Sequence, residues 1–160
     1  MQCQISAQEE TYVTLTLTET PANYRQKTTS RVLETATATS EDALEHFSRR
    51  LGFETDCSDV YAAFYSKTVD FVLLDVRGAV LFAKGHVPGA LNVPTATITP
   101  ERLAEYPADT TFVVYCAGSH CNGANKAAIR LAQIGRPVKE MLGGVMGWLD
   151  EGFTLAEGRE

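Results

Sequence analysis

Two continuous apolar runs constrain the fold of this chain more than any other feature. The first is VDFVLLDV at residues 69–76, and the second is TFVVYC at residues 111–116. Runs of this kind, without polar alternation, are typical of strands that are buried on both faces of a sheet. Helical patterns lie between and after them, and strands that alternate with helices form parallel sheets. The sequence therefore predicts an α/β fold with helices on both faces of a parallel sheet.

The helical patterns around these strands are short. We expect helices in four places: 40–51, 58–66, 100–106 and 123–134. Thr39 and Ser58 are suited to cap the first two helices, and Gly52 and Gly135 to end the first and the last. Short strands are predicted just before Pro94 and in VKEMLGG, and VMGWLDEG predicts a final turn of helix.

Composition limits the class of partner. With 160 residues and 44% hydrophobic content, the chain can bury a core and is expected to carry one globular domain. The formal net charge of −6 and the pI near 5.1 argue against a nucleic-acid partner, which needs a basic surface. No stretch approaches the roughly 18 apolar residues that span a bilayer, and the N-terminus lacks the pattern of a signal peptide. We expect a soluble, cytoplasmic protein without a membrane partner, acting on a small molecule or a protein.

The first 40 residues differ in kind from the rest of the chain. They are rich in threonine, contain few large apolar residues and include one alternating run, YVTLTLT, at residues 12–18. Such a run predicts an edge strand or a hairpin, but the segment has too few apolar residues for its own core. We therefore expect residues 1–40 to form a strand-like or mobile extension, and residues 41–157 to form the domain.

Four cysteines are present, and without a signal peptide we expect them to remain thiols. Cys3 and Cys57 have no partner at an informative spacing. Cys116, His120 and Cys121 offer three soft ligands, but zinc sites usually have paired ligands and a fourth donor. We expect neither a metal nor a cofactor.

Cys116 is the main candidate for chemistry. It ends a predicted strand and is followed by a loop of small and polar residues and then by a helix. A thiol in this position meets backbone N–H groups and the positive end of the helix dipole, which favour the thiolate. We therefore predict that Cys116 is a nucleophile, and the alternative is a merely buried residue at a strand end.

Four segments in order, LLDVR, KGHVPGALNVP, VVYCAGSHCNGANKAAIRLAQIG and VKEMLGGVMGWLDEGF, resemble the motifs of single-domain rhodaneses over about residues 41–157. The resemblance implies a three-layer α/β fold with a central, mainly parallel five-stranded sheet. It implies that Cys116 is the nucleophile and heads a loop that surrounds a persulfide sulfur: Ala117, Gly118, Ser119, His120, Cys121 and Asn122. It also implies sulfur transfer from thiosulfate, another small sulfur-containing anion or a protein persulfide to cyanide or a thiol.

The loop departs from the usual rhodanese pattern in two ways. Cys121 stands five positions after Cys116, where rhodaneses that use thiosulfate well carry a basic residue. The helix pattern also begins one or two residues later than usual, which predicts a slightly enlarged loop that resembles the loop of the related dual-specificity phosphatases. Those enzymes need arginine where Asn122 stands, which argues against phosphatase activity. The loop instead resembles that of a subgroup with paired cysteines, CxGxxCNGA.

The role of Cys121 stays open between two alternatives. It is either a resolving thiol that attacks a Cys116 persulfide, or a small residue that packs at the end of the loop. Accordingly, two other functions compete with sulfur transfer. One is a thiol-disulfide or oxyanion reductase that cycles Cys116 and Cys121, and the other is a persulfide carrier or interaction module without turnover.

Residues outside the loop are expected to support it. Asp75 and Arg77 resemble the strand-end pair that ties the loop to its neighbours, although Leu81 replaces a glutamate of that network. His86 and Trp148 are expected to be structural. His120 either stabilises the thiolate or binds an anionic donor, or it is only a solvated loop residue. Lys126 either attracts anions to the site or is only a surface charge.

Overall fold

The computed structural model describes residues 29–158 of the chain. The chain divides into two units, Met1–Ala38 and Thr39–Glu160. In the described part of the first unit, residues 29–38, one 3-10 turn is formed by Arg31–Leu33. The strand predicted within residues 12–18 lies outside the described residues, and the division into an extension at 1–40 and a domain at 41–157 stays a prediction.

The second unit contains one five-stranded sheet. Its strands are β1 (Glu54–Thr55), β2 (Phe71–Asp75), β3 (Leu91–Asn92), β4 (Thr111–Tyr115) and β5 (Val138–Met141). Their order is β1-β5-β4-β2-β3, and each neighbouring pair is parallel. The two apolar runs form the adjacent strands β2 and β4, which confirms the predicted α/β fold and brings the carboxyl ends of both strands to one edge.

Helices cover both faces of this sheet. They are α1 (Ser40–Phe53), α2 (Cys57–Ser66), α3 (Ala79–Lys84), α4 (Gly123–Gln133) and α5 (Gly144–Asp150). One buried cluster joins α4 to side chains of β2 and β4, and a second joins α2 and α5 to the other face of the same strands. None of the described helices has the length and apolar character needed to cross a membrane.

The caps of α1 and α2 differ from two of the predictions. Thr39 caps α1 as expected, because its side chain accepts a hydrogen bond from the Asp42 amide at 3.1 Å. Gly52 does not end this helix, which continues to Phe53. The cap of α2 is Asp56 instead of Ser58, since its carboxylate accepts from the Asp59 amide at 2.8 Å.

The apolar face of α1 is not covered by the residues that the structure describes. Leu44, Phe47 and Leu51 are 70%, 58% and 69% exposed. The periodicity of these residues therefore predicted the helix correctly, although the helix buries none of its side chains in the described core.

The helix predicted at 100–106 is wrong, because this segment forms successive turns. The guanidinium of Arg136 donates to the carbonyl oxygens of Leu103 and Tyr106 at 2.7 Å and 3.0 Å, so these oxygens serve a tertiary contact. Pro107 also disfavours helical geometry in the residue before it. Conversely, α3 and β1 were not predicted, since six and two residues are too short for a periodic signal.

Candidate active site

Cys116 follows β4 directly at the carboxyl edge of the sheet and is 8% exposed. Its carbonyl oxygen accepts a hydrogen bond from the Val145 amide at 3.1 Å, and the next carbonyl, of Ala117, accepts from the Met146 amide at 2.9 Å. Both donors belong to the first turn of α5. The beginning of the cysteine loop is therefore held by strand β4 on one side and by α5 on the other.

Cys116 and Cys121 form a disulfide, with their Cα atoms 6.3 Å apart. This distance lies within the range of about 4.4–6.8 Å that disulfides adopt. The loop turns back on itself because the Cys121 amide donates to the Gly118 carbonyl at 2.9 Å. The prediction that all four cysteines remain thiols is corrected by this pair, which spacing alone did not reveal.

Both sulfur atoms lie against the start of α4. A Cβ atom at Gly123 would stand 2.8 Å from the Sγ atom of Cys116 and 3.3 Å from that of Cys121. Gly123 is the first residue of α4, as predicted. The absence of a side chain there allows the sulfurs to approach the N-terminal turn of the helix, whose dipole favours negative charge.

Two glycines shape the junction between β5 and α5. Gly143 and Gly144 have positive φ angles of +85° and +58°. A Cβ atom at Gly144 would overlap the carbonyl oxygen of Cys116. The lack of a side chain at Gly144 therefore allows α5 to approach the cysteine loop closely enough for the two backbone hydrogen bonds.

Replacing Gly144 with alanine is expected to lower the free energy of unfolding by more than about 3 kcal/mol, because a strained φ combines with a backbone overlap. The matched control is Gly152→Ala. Gly152 also has a positive φ of +80°, but an added Cβ would meet open space. The control is expected to cost only about 1–2 kcal/mol. Urea unfolding of both variants measures the difference, and equal losses would contradict the role given to the overlap.

The predicted loop residues and Cys116 line two adjoining cavities. One, of about 360 Å³, is lined by Cys116, Gly118, Ser119, Cys121, Asn125, Glu140, Met141, Leu142, Gly143 and Gly144. The other, of about 450 Å³, is lined by Ala117, Ser119, His120, Cys121, Asn122 and Asn125. The structure thus brings all six predicted loop residues together beside the sulfurs, whereas Lys126 lines neither cavity.

Asp75 and Arg77 form a buried ion pair at the end of β2. The Arg77 guanidinium donates to both carboxylate oxygens of Asp75, with the shortest distance 2.5 Å, and also to the Gly85 carbonyl at 2.7 Å. That this pair ties the cysteine loop to its neighbours stays a prediction. Its side-chain hydrogen bonds reach the segment after α3, and the backbone beside the pair reaches β4, because the Val76 amide donates to the Tyr115 carbonyl.

His86 and Trp148, which were expected to be structural, are both bonded to backbone carbonyl groups. The Nδ1 atom of buried His86 lies 3.0 Å from the Phe82 carbonyl, and the Nε1 atom of buried Trp148 donates to the Thr154 carbonyl at 2.9 Å. Both structural interpretations are confirmed.

Burial, with Asp56 and Glu151 nearby, raises the pKa of Cys57 to about 11, so this thiol is a poor nucleophile. Within residues 29–158 no group of three potential ligands could hold a metal ion.

A comparison with protein families adds to this geometry. The family model described as the rhodanese-like domain matches residues 56–151, which span β2 to β5 and the cysteine loop. This chain belongs to the rhodanese-like domain family. The cysteine loop and all or most of each of the four motifs of the sequence lie within the matched region.

The rhodanese-like chain is similar to two curated proteins. It is 32% identical over 88 residues to a sulfurtransferase of Allochromatium vinosum, covering 55% of this chain and 80% of that protein. It is 37% identical over 89 residues to the HTH-type transcriptional regulator Rv0324 of Mycobacterium tuberculosis, covering 56% of this chain. This second match spans only 39% of the regulator.

Solved structures support the same fold. The BH2092 protein of Bacillus halodurans superposes with a TM-score of 0.72 at 30% identity, covering 74% of this chain and 87% of that chain. A thiosulfate sulfurtransferase of Pseudomonas aeruginosa superposes with a TM-score of 0.59 at 24% identity, covering 70% of this chain and 21% of that one. At this identity the second likeness supports the fold alone.

Sequence reasoning missed three contributors to this rhodanese-like site. Asn125 and Glu140 were treated only as parts of a helix and a strand, although the Asn125 side chain donates a hydrogen bond to the Glu140 carboxylate beside the cavity. The glycine pair at the end of VKEMLGG was treated as strand. Its doubling was the available signal, because adjacent glycines often mark a close backbone approach.

Proposed function

We propose that this chain is a sulfurtransferase that carries a sulfane sulfur as a Cys116 persulfide. The observation that carries the proposal is the position of the Cys116 sulfur, at the end of β4 and against the first residue of α4, beside an open cavity. Family membership and the sulfurtransferase relative support the general class of enzyme. We propose that residues 41–157 form the active domain. We also propose that the protein works in the cytoplasm, where thiols are kept reduced.

The proposed reaction has two displacement steps after the disulfide has been opened by a thiol reductant. In the first, the Cys116 thiolate attacks the outer sulfur of a donor R–S–SH. A new S–S bond forms, the donor S–S bond breaks, and R–S⁻ leaves with the electron pair. In the second, an acceptor thiolate or cyanide attacks the outer sulfur and the Cys116 thiolate leaves. No cofactor is required, because each step exchanges one sulfur bond for another.

The surroundings of Cys116 suit both steps. The N-terminal turn of α4 favours the Cys116 thiolate before attack and again when it acts as the leaving group. The two carbonyl contacts from α5 hold the loop so that the sulfur faces the cavity. Turnover of a persulfide donor with cyanide, followed as thiocyanate, tests the proposal on the reduced protein, and failure to accept sulfur from any donor would overturn it.

The observed disulfide favours a second candidate, in which Cys121 resolves the persulfide. The Cys121 thiolate would attack the Sγ atom of a Cys116 persulfide, forming the disulfide and releasing HS⁻ with the electron pair of the broken S–S bond. Two electrons from a thiol reductant would then reopen the pair. This cycle would convert a sulfane sulfur to sulfide, whereas simple transfer would pass it on.

Thiol counting tests whether Cys116 and Cys121 form the oxidisable pair. Fully reduced protein contains four cysteines. After stoichiometric peroxide and alkylation under denaturing conditions, we expect two fewer labelled thiols, both missing from these positions. Peptide mass spectrometry locates the loss. In Cys121→Ser no intramolecular pair should form, and a loss of label at Cys57 in the wild type would contradict the assignment.

A further inference from the structure

Glu140 is the acidic side chain that lines the cavity containing Cys116 and Cys121. Its carboxylate accepts a hydrogen bond from Asn125, which lines both adjoining cavities. No lysine or arginine side chain in the described part of the chain lines either cavity. A negatively charged ligand beside Cys116 would therefore face a carboxylate without a nearby cation among the lining residues.

The neighbouring charges leave Glu140 without a counterion among the described residues. Burial and the carboxylate of Glu54, which lies opposite it in the pairing of β1 with β5, raise the pKa of Glu140, so its negative charge and its repulsion of an anionic ligand grow as the pH rises. Arg50 is occupied by its ion pair with Glu54 at 2.8 Å. Lys139 is adjacent in the strand, but side chains alternate between faces, and its Nζ atom donates to the Leu51 carbonyl at the end of α1.

We propose that Glu140 determines donor specificity: it disfavours dianionic donors such as thiosulfate and leaves thiol persulfides as the substrate class. The inference rests on the proposed function of Cys116. Thiosulfate brings two negative charges into the cavity, and its reaction releases sulfite with the electron pair of the broken S–S bond. A thiol persulfide R–S–SH brings no more than one charge on its reacting group and releases one thiolate. The repulsion by Glu140 is therefore larger for thiosulfate in both the bound and the leaving states.

The test compares two donors on reduced protein, thiosulfate and cysteine persulfide, with cyanide as the acceptor. Glu140→Gln keeps the size of the side chain and its ability to bind Asn125, but removes the charge. We expect the ratio of kcat/KM for thiosulfate to kcat/KM for the persulfide to rise about tenfold, mainly through a lower KM for thiosulfate. Glu140→Lys should raise the ratio further. Both effects should shrink at high ionic strength, because salt screens exposed charges.

Glu105→Gln is the matched control. It removes one negative charge from an exposed glutamate that lines a different cavity, so the net charge of the chain changes equally. We expect this variant to leave the donor ratio unchanged. A His120→Gln background removes any contribution of the imidazole at the rim, and thermal unfolding checks that each variant is folded.

The outcomes separate the inference from the function on which it rests. If the wild type accepts sulfur from both donors and the ratio is the same in Glu140→Gln as in Glu105→Gln, the inference is wrong and sulfur transfer stands. If thiosulfate and the persulfide serve the wild type equally well, the inference is also wrong. If neither donor loads Cys116 in any variant, the proposed function fails and the inference fails with it.

Discussion

Replacing Cys116 with alanine is expected to abolish sulfur loading and to lower transfer to cyanide by at least about a thousandfold, because the nucleophile is removed. Intact-protein mass spectrometry gives the direct measurement. Reduced wild-type protein incubated with a persulfide donor should gain about 32 Da for one sulfur, and Cys116→Ala should gain none. The side chain is small and lies at the end of a strand, so its removal should leave the fold intact.

Cys121→Ser is the matched control for this experiment, since it removes the other sulfur of the same disulfide. We expect this variant to load sulfur at Cys116 and to retain most of the transfer activity. If Cys121 resolves the persulfide, the loaded form should also last longer in this variant and release less sulfide. Loss of loading in Cys121→Ser with retention in Cys116→Ala would instead assign the nucleophile to Cys121.

Replacing Arg77 with methionine is expected to lower the free energy of unfolding by about 3–5 kcal/mol, because it leaves the Asp75 carboxylate buried without its counterion. Asp75 is fully buried, and the side chain of Arg77 is only 9% exposed. Methionine retains the apolar stem of the arginine, so the change tests the charge and its hydrogen bonds. Urea unfolding at pH 7 measures the effect.

Arg50→Met provides the matched control, since it breaks the ion pair with Glu54, whose two side chains are 49% and 28% exposed. We expect this change to cost less than about 1 kcal/mol, as is usual for surface pairs. Adding Asp75→Asn to Arg77→Met should recover part of the loss, because the buried charge is removed. Equal losses in Arg77→Met and Arg50→Met would show that the buried charge is not the cause.

The central part of the fold could be predicted because its signals are local. The runs that form β2 and β4 are apolar throughout, and each is long enough to be distinguished from a turn. The alanine and leucine periodicity of α4 likewise predicted its buried face, where Ala124, Ala127 and Leu131 lie. The helix predicted at 100–106 was wrong, and two carbonyl oxygens of the turns found there accept hydrogen bonds from Arg136, about 30 residues later, a contact that no local pattern indicates.

The site could be predicted only in part. The position of Cys116 between a strand and a helix was visible in the sequence, because both elements have strong patterns. The nearness of the Cys121 sulfur was not, since a spacing of five residues is compatible with several loop geometries. The contribution of α5 could not be predicted either. Its donors, such as the Val145 amide, belong to the backbone, so the identity of the residue does not indicate the hydrogen bond.

The sequence by itself determined the α/β class, the order of the main strands and helices along the chain, and the position of Cys116 between a strand and a helix. These features depend on the polarity of neighbouring residues and on helix and turn preferences, which act within a few positions of the chain. The tertiary structure alone decided that Cys116 pairs with Cys121, that Arg77 binds the segment after α3, and that Glu140 lies in the cavity. Each of these depends on which strands are neighbours in the sheet and how closely two backbones approach, and such distances are not encoded in residue spacing.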